Sequence, residues 1–80
     1  MSVIPLRQMA AGQKGRISKV GAHGELGRRI RDMGIVPGTP IQILGRAPLK
    51  DPVAIRVWNF TLTLRNNEAD HIHVEVEEVP

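Results

Sequence analysis

The sequence predicts a mostly β fold: a small barrel of about five strands, with one α-helix inserted between the first and second strands and a short helical turn near the N-terminus. Three observations carry this. Apolar residues alternate with polar ones at Ile41/Ile43, Val53/Ile55/Val57, Phe60/Leu62/Leu64 and Ile72/Val74/Val76. Leu26, Ile30 and Met33 repeat at i, i+4, i+7, the spacing that puts side chains on one helical face. Glycine, proline and asparagine punctuate these stretches at short intervals. Closing the strands into a barrel also protects their edges, a pressing need in so short a chain.

Taken in order, Met1 to Val3 read as a lead-in. Pro5 to Ala11 suit a helical turn, with Pro5 at the tolerated first position and Gly12 ending it, so that Leu6 and Met9 face the body together. Lys14–Val20 is the first strand, centred on Ile17. Gly21 to Gly24 form a loop, and Glu25 sits in the first turn of the helix, where a carboxylate complements the helix dipole. The second strand runs from Thr39 and ends at Gly45. Gly45 to Pro52, with two prolines, makes a long exposed connection. Val53–Val57 and Phe60–Leu64 form a hairpin turning at Trp58-Asn59, where asparagine is the residue suited to positive φ. Arg65 to Asp70 allow one helical or 3₁₀ turn before the last strand, Ile72–Val76.

The helix and the second strand are joined by a corner. Gly34 follows the last apolar helical position, where a C-terminal cap wants positive φ. Val36 is pushed toward extended backbone by Pro37, and Pro37-Gly38 suits the centre of a type II turn.

Composition narrows the function. Eighty residues read as one domain, 1–80, burying only about 60–65% of the surface exposed on unfolding. There is no cysteine, which permits a reducing compartment. No apolar run approaches the ~20 residues of a membrane-spanning helix, so a cytoplasmic protein is expected. Without cysteine or tyrosine, and with no phosphate-binding loop, the chain lacks the acid, base and nucleophile roles of a catalytic site, and no enzyme is expected.

Three binding chemistries remain. His71, His73, Glu75 and Glu77 alternate along the last strand, and imidazole with carboxylate suits Fe²⁺ or Zn²⁺. Alternate strand residues stand about 7 Å apart, so such a pair binds transition metal weakly without a third ligand. The plainer explanation is a solvated strand face. For nucleic acid, the net charge of +3 is mild, but Arg7, Lys14, Arg16 and Lys19 near the start and Arg28, Arg29 and Arg31 on the helix keep a small RNA-binding barrel as the rival. With Trp58 and Phe60 the only aromatics, stacking platforms are missing, and a solvated helix face accounts for the arginines. For a protein partner the candidates are Trp58, Phe60 and Leu49, with Arg28 and Arg29 on the helix. Trp58 is either an exposed anchor or a lid over one mouth of the barrel; exposed tryptophan is a frequent binding hot spot.

The chain resembles the FeoA family, small proteins of bacterial ferrous iron uptake. The likeness rests on Leu6, Gly12, Gly15 with Ile17, the block from Leu26 through Arg29-Ile30, Met33-Gly34-Ile35 and Pro37-Gly38-Thr39 to Ile41, then Asp51-Pro52, Ile55 and Val57, Leu62 and Leu64-Arg65, and Glu68-Ala69 with Ile72 and Val74. Asn59 stands where the family commonly has glycine. The resemblance implies an SH3-like barrel without catalytic activity or a required cofactor. It implies a partner as well, the membrane ferrous iron transporter B, a GTPase, which places the protein peripheral to the inner membrane. The module is also similar to the C-terminal domain of iron-dependent repressors, but no DNA-reading helix-turn-helix precedes it, so no DNA is expected. An RNA-binding barrel or an iron carrier is the alternative, and self-association is common among small barrels with open edges.

Overall fold

The computed structural model describes residues 2–46 and 52–76. Leu49 and Glu77 lie outside them, as does most of the Gly45–Pro52 connection. The elements follow in the order β1 (Ser2–Pro5), a 3₁₀ turn (Leu6–Gln8), β2 (Lys14–Val20), α1 (Gly24–Asp32), β3 (Pro40–Arg46), β4 (Val53–Val57), β5 (Phe60–Leu64), α2 (Asn66–Ala69) and β6 (Ile72–Val76). All six strands join one antiparallel sheet in the order β1-β6-β2-β3-β4-β5.

Five strands, the inserted helix and the N-terminal turn are where the alternation places them, and β3 continues one residue past Gly45. The sixth strand is a correction. Ser2–Pro5 is no lead-in but pairs with β6, from Ser2 opposite Val76 to Pro5 opposite His73. Pro5 is tolerated because β1 is an edge, where a missing N–H costs the ladder nothing on its open side. As a result β6, the last strand in sequence, is central.

The sheet curls around β2. Arg16 is opposite Pro40 of β3 and also opposite Glu75 of β6, and the register shifts between Ile17 and Lys19. Inside the curl the apolar residues of the strands meet Leu6, Met9, Ile30 and Ile35 in one core. Leu26 and Met33 of the predicted helical face pack at its margin.

Backbone hydrogen bonds hold the corner after α1. Ile35 N donates to Ile30 O (3.3 Å) and Gly34 N to Arg31 O (2.9 Å), the paired bonds of a Schellman motif, with Gly34 at φ +87°. Ile30 and Ile35, which make the outer bond, are both fully buried. Thr39 N then donates to Val36 O (3.1 Å) across Pro37-Gly38, with Gly38 at φ +93°, as a type II turn requires. Gly38 N donates to Ile17 O (2.8 Å) and Ile17 N to Thr39 O (2.8 Å), tying the corner to β2.

Candidate functional site

The β4–β5 hairpin sets the most exposed aromatic. Val57 pairs with Phe60, so two residues make the turn. The one non-glycine residue with positive φ among those described is Trp58, at +54°, and not Asn59. This corrects the assignment of positive φ to asparagine: a two-residue turn of the II′ kind needs it at the first position, which Trp58 occupies. Held there, Trp58 is 62% exposed and is not a lid over the barrel. Phe60 is 46% exposed, with its ring edge turned toward the Gly34 corner.

Trp58 borders a shallow groove of about 310 Å³ on the outer face of the sheet. Its floor is a row of cross-strand neighbours: Lys14 is opposite Gln42, and Gln42 is opposite Arg56. Gly15, Pro40, Ile41 and Asn59 complete the wall. Gln42 Nε2 donates to Gly12 O (3.3 Å), which fixes the middle of the row. Lys14 and Arg56 are exposed and make no ion pair among the described residues. The sequence marks each of these as the polar member of an alternating strand; only the register brings them together.

The helix arginines divide. Arg28 is exposed. Arg29 is exposed as well but has a partner, its Nε lying 3.4 Å from Oε2 of Glu68, which is 4% exposed. That contact is an ion pair without hydrogen-bond geometry. The other oxygen, Glu68 Oε1, accepts from Arg65 N (3.0 Å) and caps α2. Sequence reasoning did not single out Glu68 for burial, because α2 packs against the 3₁₀ turn Leu6–Gln8, some sixty residues earlier in the chain.

The candidate metal residues are less aligned than their spacing suggests. His71 lies in the turn before β6, its N donating to Glu68 O (3.2 Å) and its O accepting from Gly21 N (2.7 Å). His73 and Glu75 are on β6, half-buried, opposite Lys19 and Arg16 of β2. His73 Nδ1 is buried without a hydrogen-bond partner. No group of three or more histidine or carboxylate side chains among the described residues is arranged to hold a metal ion. This strand face is flanked by β1 and β2, so its charges do not guard an edge.

Residues 4–76 match the FeoA domain family model. The chain belongs to the FeoA family. A curated relative of this FeoA chain is the Fe(2+) transport protein A/Fe(2+) transporter FeoB fusion protein of Porphyromonas gingivalis, 35% identical over 71 residues. The match covers 89% of the FeoA chain but only 8% of that fusion protein. Among solved structures, the FeoA-like protein of Clostridium acetobutylicum is 38% identical with a TM-score of 0.89, covering 100% of this chain and 93% of that one. Zinc-complexed FeoA of Stenotrophomonas maltophilia, described as a procaryotic SH3 domain protein, has a TM-score of 0.78 at 22% identity, covering 90% and 89% of the two chains. It shares the fold, and the barrel here is SH3-like.

Proposed function

We propose that this FeoA domain is a non-catalytic accessory of bacterial ferrous iron uptake, which binds the membrane transporter FeoB from the cytoplasmic side and modulates it. The observation that carries this is the fusion relative, in which a domain 35% identical to this chain is part of one polypeptide with FeoB. Covalent linkage holds two modules at high local concentration, and separate chains need a docking surface to reach the same end. The exposed Trp58 tip is the surface best suited to that task, since a rigid aromatic anchors contact area at little entropic cost. No described helix is long and apolar enough to cross a membrane. The outer edges of β1 and β5 are open to a second copy of the chain.

The test is capture of FeoB from solubilised membranes with the purified domain as bait, with and without GTP. Enrichment of FeoB over an unrelated SH3-like bait is expected, together with a loss of about 2 kcal/mol or more in binding for Trp58→Ala. Equal recovery on both baits overturns the reading.

A further inference from the structure

The groove beside Trp58 has a chemistry of its own. Its two cations, Lys14 and Arg56, sit on the first and third strands of the row Lys14–Gln42–Arg56, about 9.5 Å apart at the backbone by the usual strand spacing. Among the described residues no acidic side chain lines the groove and neither cation is paired. By contrast, Arg7 is neutralised by Asp70 at 2.8 Å and Arg29 by Glu68. At the end of the row stands Trp58, a bulky residue held at φ +54°, a conformation that glycine would occupy without strain. An aromatic ring kept outward at the expense of backbone strain, next to two uncompensated cations, is an arrangement for a ligand with one apolar and two anionic contacts.

We propose that this groove docks an acidic linear segment of a partner protein, with two carboxylates three residues apart against Lys14 and Arg56 and an apolar side chain against Trp58. In a polyproline II segment residues three apart return to the same face about 9.3 Å along the chain, which matches the separation of the cations. A protein segment fits better than RNA, because successive bases need successive aromatic platforms and this surface carries one tryptophan. The proposal deepens the accessory reading and rests on it only in identifying FeoB as the owner of the segment.

The test begins with the ¹⁵N-labelled domain and a blocked Ala-Glu-Leu-Ala-Glu-Ala peptide. Amide and indole shifts localised to Lys14, Gln42, Arg56 and Trp58 are expected. They should weaken about tenfold in Lys14→Glu/Arg56→Glu and again on raising the salt. Both substituted side chains are exposed, and an unchanged spectrum elsewhere shows that the variant is folded. Absence of localised shifts at millimolar peptide, equal shifts from the peptide with lysine in place of glutamate, or tighter binding of a uridine decamer each overturns the proposal. The FeoB capture assay then separates the two claims. If wild type and Lys14→Glu/Arg56→Glu capture FeoB equally, the groove is not the dock, although the accessory reading stands. If wild type captures no FeoB but the peptide shifts hold, the accessory reading fails and the groove remains an acidic-peptide site.

Discussion

Gly34 and Phe60, twenty-six positions apart in the chain, meet at the helix corner: a methyl group built on Gly34 would lie 3.7 Å from Phe60 Cζ. The Phe60 ring, 46% exposed, thus lies beside the corner, and of the two aromatics Trp58 is the more exposed at 62%.

The corner should dominate folding. Gly34→Val and Gly38→Val, at φ +87° and +93°, are each expected to destabilise by roughly 1–3 kcal/mol from backbone strain. Ile30→Ala, which empties a fully buried site, should cost about 2–5 kcal/mol. Denaturant unfolding of the three variants measures all of this. Wild-type midpoints throughout would show that the corner does not hold the fold.

Trp58 should show the opposite balance. Trp58→Gly relieves the positive-φ strain and removes a mostly exposed side chain. Stability is expected to be unchanged or to rise by up to about 1 kcal/mol, while FeoB capture falls as for Trp58→Ala. A clear drop in melting temperature would mean that the indole packs on the barrel after all.

Glu68 tests the small helix α2. Glu68→Ala leaves the Arg65 N–H without its acceptor and should cost about 1–2 kcal/mol. Glu68→Gln retains that acceptor and loses only the charge facing an exposed Arg29, so it should cost much less. Equal losses in urea titrations of the two variants would put the stabilisation in the ion pair and not in the cap.

Iron is expected to bind weakly to the isolated domain. His71 in a turn, with His73 and Glu75 on β6, is a poor ligand set without a further donor, so no Fe²⁺ affinity tighter than about 10 μM is expected. Anaerobic Fe²⁺ titration of wild type and His71→Ala/His73→Ala checks this. Submicromolar binding by a monomer, lost in the double variant, would make the protein an iron carrier.

What could be read from the residues follows the range of the interactions. Val53–Val57 and Phe60–Leu64 announce themselves because their pattern and turn are local, and the Gly34 and Pro37-Gly38 corner is spelled by residues whose dihedral preferences point one way. β1 was hidden because Ser2–Pro5 is short, holds a proline, and becomes a strand only by meeting β6 more than sixty residues away. The same distance concealed the central place of β6. Trp58 at positive φ runs against residue preference, and turn geometry decided it. The Lys14–Gln42–Arg56 row depends on registers across three strands, which no single stretch encodes.

The central position of β6 has a consequence for synthesis. A ribosome releases β1 first, yet β1 pairs with a strand made of residues 72–76. The meander β2-β3-β4-β5 can zip as it emerges, because each of its pairings is with the next strand in sequence. β1 cannot, and one side of β2 stays open to chaperones with it until translation has passed Val76. Stalled or prematurely terminated chains would thus lack the strand that joins β1 to the rest of the sheet, and proteases should clear them as incompletely folded polypeptide.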